Sequence, residues 1–335
     1  MKYLKELCEI SAPSGEEKSV RDFIIPKLGG SDYYIDNAGN LIVVKKGKKT
    51  PKNKLMLAAH MDEVGFIVTF IDDSGMLKFD TVGGIDAKSL LGKRVKIGDN
   101  IGVIGTVPVH LTDKESESKM PKVSDMFIDI GVSGKEEAQK TVSLGDIGTF
   151  LSDYTEYGEG FIKSKAIDDR FGCAVLLDIL ESETEYDVTL CFTVREEIGL
   201  LGAGVAANTV KPDIAIVIES TTANDTVGVS GSDKVCSLGE GAVVSFMDGR
   251  TLYDKTLYRL AMNLAEEKGI KAQTKTKIAG GNDAGALQSA GIGSRVLAVS
   301  LPTRYIHSSS CVAKKEDMQS VSELTKELIN RFGNI

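Results

Sequence analysis

The chain has 335 residues, 42% of them hydrophobic and 26% charged, which is ordinary for a soluble globular protein and long enough for two domains or one α/β domain with an insertion. Its formal net charge of -8 and the lack of any basic stripe exclude a nucleic-acid partner, because neutralising phosphates requires clustered Lys and Arg. The opening "MKYLKELCEISAPSGEE" is charged throughout and no apolar run reaches membrane-spanning length, which predicts a cytoplasmic protein with no membrane partner.

Residues 1 to 67 read as helix, helix, strand, strand. An amphipathic start is followed by "SGEEKSVRDFIIPKL", which opens on a helix-capping pattern, and by "DYYIDNAGNLIVV", a hairpin with its turn at "DNAGN". The apolar run "KLMLAA" then reads as a strand covered on both faces, the kind found inside a parallel sheet. From about residue 68 the texture changes to short β-prone pieces broken by glycine, which predicts a small barrel or sandwich. The charged tract "TDKESESKMPK" within it reads as an exposed loop. After residue 166 helices and strands alternate again: "DDRFGCAVLLDILES" as helix, "DVTLCFTV" and "DIAIVI" as buried strands, "LYRLAMNLAEEKG" as helix, "SRVLAVS" as strand, and a closing helix. The expected fold class is therefore α/β, a mostly parallel mixed sheet covered by helices. It is formed by residues 1–67 and 161–335 and interrupted by a β-rich insertion at 68–160.

The chemistry-bearing residues fall at the ends of those strands. His60 follows "LMLAA", Glu196 and Glu197 follow "VTLCFTVR", Glu219 ends "IAIVI", and His307 comes shortly after "RVLAVSLPTRYI", while Asp168 and Asp169 open a helix. In open α/β sheets the carboxyl edge of the strands is where ligands bind. Taken singly, each has a plainer reading: a structural histidine, a pair of helix caps, a solvated turn, an exposed strand end. Their common location favours a metal site. Two histidines with carboxylates and no thiolate suit zinc, cobalt or manganese, and the excess of carboxylates suits a pair of ions sharing a bridging ligand. Adjacent strand residues point to opposite faces, so Glu196 and Glu197 both ligate only if the strand has already ended; otherwise one holds metal while the other accepts a proton from water. Asp62, two residues beyond His60, is placed to orient that imidazole.

Five ordered motifs, "AAHMDEVG", "AIDDRFGC", "REEIGLLGA", "GGNDAGAL" and "PTRYIHS", resemble the M42 family of metallo-aminopeptidases, and the similarity runs over nearly the whole chain. The resemblance implies a zinc-exopeptidase-like fold with an inserted dimerisation domain, and two divalent ions per subunit. In it Asp168 bridges the ions, His60 and Glu219 complete one site, and Glu197 and His307 complete the other. Glu196 is the general base and Asp62 supports His60. It further implies short peptide substrates, dimers, and a tetrahedral dodecamer. Two positions depart from the family pattern: Glu219 stands where Asp is more usual, and Asn282 where Thr is expected.

Other signals are weak. "AKSLLGKR" breaks the phosphate-loop pattern at Ala87 and Arg94, and "GLLGAG" lacks the dinucleotide order. His110 has no acid cluster near it and reads as structural. The cysteines Cys8, Cys173, Cys191, Cys236 and Cys311 are scattered without a CxxC pair, and are expected as reduced, mostly buried thiols. A glycosidase is the rival enzyme class, but it needs facing carboxyls in a groove lined with aromatics, and this chain has no Trp and 6% aromatics. A metal-stabilised scaffold without catalysis is the non-enzymatic rival.

Overall fold

In a computed structural model of the chain, which describes residues 1–108 and 121–335, the backbone builds an eight-stranded mixed sheet, a closed barrel and a three-stranded sheet. His110 and most of the charged tract lie outside the described residues. The large sheet runs β1 (Asp32–Ile35), β2 (Leu41–Lys45), β12 (Val188–Thr193), β3 (Leu55–His60), β13 (Ile214–Thr222), β16 (Arg295–Thr303), β14 (Ala242–Val244) and β15 (Ala272–Thr274) in spatial order. Its central neighbours β12, β3, β13 and β16 are parallel. Every residue of β3 and β12 is buried, as expected for strands covered on both faces.

Helices Leu4–Glu9, Ile167–Glu181, Lys255–Lys268 and Lys315–Phe332 contribute to the main apolar core with one face of the sheet, and helices Leu201–Val210 and Ala284–Ser289 pack in the cluster on the other. The helix at Ile167 does not begin regularly. Asp168 (φ -81°, ψ 109°) and Asp169 (φ -119°, ψ 43°) have non-helical backbones, so they form a bent entry instead of a simple first turn.

The closed barrel is ordered β4 (Gly65–Ile71), β5 (Leu77–Val82), β8 (Met126–Asp129), β7 (Asn100–Thr106), β6 (Arg94–Ile97) and β9 (Ile147–Phe150). Closure removes the sheet edges that an open β insertion would leave. Its interior is a separate apolar cluster in which Phe66 meets Phe79 and Phe150 edge-to-face, with ring centroids 5.5 and 4.9 Å away. After it, β10 (Thr155–Tyr157) and β11 (Phe161–Ser164) join β17 (Cys311–Lys314) in the three-stranded sheet. All five cysteines are buried and unpaired. Among the described residues no helix is long and apolar enough to cross a membrane.

Candidate metal centre

The parallel register brings the strand ends together. Thr193, the last residue of β12, pairs with His60, the last of β3, so the loop that carries Glu196 and Glu197 emerges beside the imidazole. Glu219 pairs with Ser300 and is buried within β13, which continues to Thr222 and does not end at the carboxylate. The chain leaves β16 at Thr303 and turns through Tyr305 and His307, both in the left-handed region, to present the second imidazole. The strand that precedes Glu196 has ended, and Arg195 has φ 55°, so the alternation that would send Glu196 and Glu197 to opposite faces does not apply.

Asp168 stands between the two histidines. Its Oδ1 lies 3.4 Å from His60 Nε2 and its Oδ2 lies 3.3 Å from His307 Nε2. Glu219 Oε1 is 3.4 Å from His60 Nε2, and Glu197 Oε2 is 3.2 Å from His307 Nε2. These separations are longer than charge-assisted hydrogen bonds of good geometry. They match a shared cation instead, since two ligand atoms each about 2.05 Å from a tetrahedral ion lie about 3.3 Å apart. The donor set fits on a second count. Asp168 Oδ1, Asp169 Oδ2, Glu197 Oε1 and Glu219 Oε2 are buried without a hydrogen-bond partner, an arrangement costly for carboxylates unless positive charge offsets it.

A surrounding layer aims these groups. The Nδ1 of His60 faces the Asp62 backbone carbonyl at 3.1 Å and the Asp62 carboxylate at 3.4 Å, leaving Nε2 for the cluster. The Asp62 carboxylate also accepts the Ser14 hydroxyl at 2.6 Å and the backbone N–H groups of Glu196 and Glu197 at 3.1 and 3.2 Å. The expected capping pattern at "SGEE" is therefore not made. The Ser14 hydroxyl goes to Asp62, and the Glu17 carboxylate accepts from the backbone of Gly15 and of Arg195, so this stretch braces the site and not the helix that follows. His307 Nδ1 faces the Gly84 carbonyl at 2.7 Å, a contact from the segment just after β5. Gly83 beside it has φ +82°, and a Cβ there would meet Val64 at 2.9 Å and Glu197 at 3.3 Å, which is why only glycine suits this approach.

Electrostatics follow from packing so many acids together. Burial pushes the Glu197 carboxyl up to about 7, with Asp168 adding to the effect and His307 opposing it. Burial works against charge on His307, but Asp168 and Glu197 outweigh it and hold the imidazolium to about 9. Burial likewise drives Glu219 and Glu196 well above the usual carboxylate range, while the two histidines pull Asp168 below it despite its own burial. Glu196 is 8% exposed, has no side-chain hydrogen bond among the described residues and lines a cleft of about 340 Å³ with Asp168, Glu197, Glu219 and His307.

The structure thus gathers His60, Asp168, Glu196, Glu197, Glu219 and His307, with Asp62 behind His60. It adds Asp169, whose carboxylate groups with His60 and Glu219 as a possible ligand set. The signal for it was its adjacency to Asp168 at the start of the helix. Asn282 lines the cleft but binds within the protein: its Oδ1 accepts from Ala284 N at 3.0 Å and its Nδ2 donates to Tyr253 Oη at 3.1 Å. Ser14, Gly84 and the Arg195 contact of Glu17 could not be found from spacing, because the partners are remote in sequence.

A mostly buried set of histidines and carboxylates at the carboxyl edge of a parallel sheet, opening on a small cleft, has the makeup of a metal-dependent hydrolase site. The family model described as "M42 glutamyl aminopeptidase" matches residues 39–324, and the chain belongs to the M42 peptidase family. It is an aminopeptidase by family, hence a hydrolase of peptide bonds. Among its relatives, a glutamyl aminopeptidase of Lactococcus lactis is 31% identical over 97% of this chain and 94% of its own length. A lysyl aminopeptidase of Pyrococcus furiosus is 30% identical over 98% and 96%. Among solved structures, the aminopeptidase APDkam598 from the archaeon Desulfurococcus kamchatkensis superposes with a TM-score of 0.91 at 34% identity, covering 100% of this chain and 97% of that one. The TET1 peptidase of Pyrococcus horikoshii, described as assembling into a tetrahedron or a large octahedral shell, gives a TM-score of 0.86 at 34% identity with 98% of each chain covered.

Proposed function

We propose that the chain is a two-ion aminopeptidase that removes N-terminal residues from short peptides, with Asp168 as the shared ligand and Glu196 as the group that moves the proton. The observation that carries this reading is the placement of Asp168, one oxygen toward His60 and the other toward His307, with Glu219 and Glu197 on the two sides. His60 and Glu219 would hold one ion and His307 and Glu197 the other, with Asp169 available to the first. Zinc or cobalt suits this nitrogen and oxygen set best, and manganese is admissible. Ions held there would supply Lewis acidity toward the scissile carbonyl and lower the pKa of a water molecule.

The remaining chemistry belongs to the chain. Glu196, buried and outside both ligand pairs, has the raised proton affinity of a general base; it takes a proton from the attacking water and returns it to the leaving amine. Asp62 fixes His60 and, through the backbone, the loop carrying Glu196 and Glu197. The acid-rich wall suits the substrate's free α-amino group, which makes the enzyme an exopeptidase. A cleft of about 340 Å³ accepts an amino-acid residue more readily than a run of sugars, which disfavours the glycosidase reading. Among the described residues the barrel segment approaches the ligands through Gly83 and Gly84, which follow β5, and through Phe150 of β9, none of which offers a metal-ligating side chain, so its main service is access and self-association. The tetrahedron and octahedral shell described for the TET1 relative support self-association, for which dimers built into a dodecamer is the form we propose.

The test is removal of metal by excess chelator, followed by addition of zinc, cobalt or manganese, with aminoacyl reporter hydrolysis and light scattering read in parallel. Activity should vanish and return with metal, and a large closed species should fall toward dimers on chelation. Full activity in chelator would refute the metal reading, and an active monomer at every metal concentration would refute the assembly.

A further inference from the structure

The motif "GGNDAGAL" has no part in the metal set or in proton transfer. In it Asp283 stands immediately before the helix Ala284–Ser289, the position at which an aspartate ordinarily caps. Its side chain makes no cap. The neighbouring Asn282 takes the Ala284 N–H, and the Asp283 carboxylate turns instead to the Thr193 hydroxyl, which donates to its Oδ2 at 2.5 Å. Both residues of this pair are buried, and Oδ1 of Asp283 has no hydrogen-bond partner. A buried carboxylate held by one hydroxyl is a poor fastener, because desolvation offsets much of what the bond contributes.

Thr193 is a consequential place for such a contact. It is the last residue of β12, it pairs with His60, and its carbonyl accepts the Met61 N–H at 2.8 Å. Beyond it the strand ends, and the next four backbone N–H groups go to remote side chains. Val194 donates to Asn40 Oδ1 at 3.1 Å, Arg195 to Glu17 Oε1 at 3.1 Å, and Glu196 and Glu197 to the two oxygens of Asp62. Every residue from 193 to 197 is thus held by a side chain from elsewhere in the sequence, and Asp283 secures the first of them.

Resting on the aminopeptidase reading, we propose that Asp283 is a positioning residue for the reaction: through the Thr193 hydroxyl it fixes the end of β12 against His60 and so sets where the following loop presents Glu196. It acts through Thr193 and not by contact with the reacting atoms. A small shift of the strand end is carried along the loop to the carboxylate, and proton transfer is sensitive to such misplacement. The competing role is purely structural, a buried hydrogen bond that fastens the helix Ala284–Ser289 to the sheet.

The experiment uses metal-loaded full-length enzyme and whichever aminoacyl p-nitroanilide the parent cleaves best. Thr193→Val, which removes the hydroxyl at nearly constant shape, should lower kcat roughly 10- to 100-fold and leave KM and metal content near the parent's. Thr193→Ser restores a donor and should recover most of that loss. Asp283→Asn keeps an acceptor for the hydroxyl without the charge, and should lose less, about 3- to 10-fold. In the Glu196→Gln background Thr193→Val should have no further effect on kcat, since a residue that acts by aiming Glu196 has nothing left to aim. Equal fold-losses with and without Glu196 overturn the proposal. So does a parent-like kcat in Thr193→Val and Asp283→Asn together with a lowered Tm, the result expected of a structural bond alone. If Thr193→Val does not fold, a parent-like kcat in Asp283→Asn decides against the proposal by itself. No hydrolysis of any aminoacyl substrate by the metal-loaded parent would instead bring down the aminopeptidase reading beneath it.

Discussion

Asp62 accepts the backbone N–H of Glu196 through Oδ1 at 3.1 Å, so the residue that braces His60 also positions the group assigned to proton transfer. The same carboxylate takes the N–H of Glu197 and the hydroxyl of Ser14. One buried acid therefore ties the N-terminal segment, the end of β3 and the loop after β12 into a single support.

Asp62→Ala should lower kcat and metal affinity together, each by roughly 10- to 100-fold, the usual effect of deleting a residue that orients a metal-binding histidine. Ser14→Ala should do the same more weakly while leaving the helix Lys18–Ile24 intact by circular dichroism, because the hydroxyl does not cap it. A parent-like kcat in both variants would count against the bracing role.

Glu196→Gln should reduce hydrolysis ~10²- to 10⁴-fold and keep the parent's metal content. Its carboxylate lies outside both ligand pairs, so the neutral amide removes the proton acceptor and no ligand. Elemental analysis showing the loss of one ion per chain would reassign Glu196 as a ligand.

Asp168→Ala should lose both ions, whereas Glu219→Ala and His307→Ala should each weaken mainly one. A bridging carboxylate serves two cations, and the terminal groups serve one each. The readout is a metal titration of each variant; two tight equivalents in Asp168→Ala would exclude bridging.

Metal loading should release protons at neutral pH and weaken as pH falls. Without metal, the Glu197 carboxyl sits at about 7 and the His307 imidazolium at about 9, and both protons must leave before ligation. The sign for folding of the metal-free protein follows from the raised histidine value: the interaction of His307 with Asp168, which stays ionised, contributes fully below the unfolded pKa of about 6.5 and is lost as pH rises through about 9. Calorimetric titration in buffers of different ionisation enthalpy counts the released protons, and a count of zero at pH 7 would contradict this picture.

Away from the cleft, Glu63→Gln should be strongly destabilising, by about 3–5 kcal/mol. Glu63 is buried against Lys165 at 2.6 Å and Arg170 at 3.1 Å, and Arg170 also donates to the carbonyls of Leu7, Ile10 and Ala12. Removing the one carboxylate leaves two buried cations without a counter-charge. Chemical denaturation measures the loss, and a midpoint shift near zero would show that the pair is dispensable.

Much of the fold was legible along the chain because its signals are local. The apolar runs of β3, β12, β13 and β16 identify covered parallel strands, the glycine-broken pieces from about residue 68 identify a small barrel or sandwich, and residues placed at or just after the ends of those strands mark a site. Sequence by itself therefore determined the α/β class and nominated His60, Asp168, Glu196, Glu197, Glu219 and His307. What only the tertiary structure decided are contacts made across long stretches of chain. Ser14 reads locally as a helix cap, but its partner is 48 residues away at Asp62, and the Gly84 carbonyl meets His307 from 223 residues away. The chain has 40 Lys and Arg residues, and nothing in their neighbours marks Lys275 as one that is buried in the wall of the cleft with no acid within ion-pairing distance among the described residues. Local pattern fixes which way a strand or helix turns its faces; which distant group fills a given hydrogen bond, or leaves a charge unmatched, is set only when the sheet closes over the core.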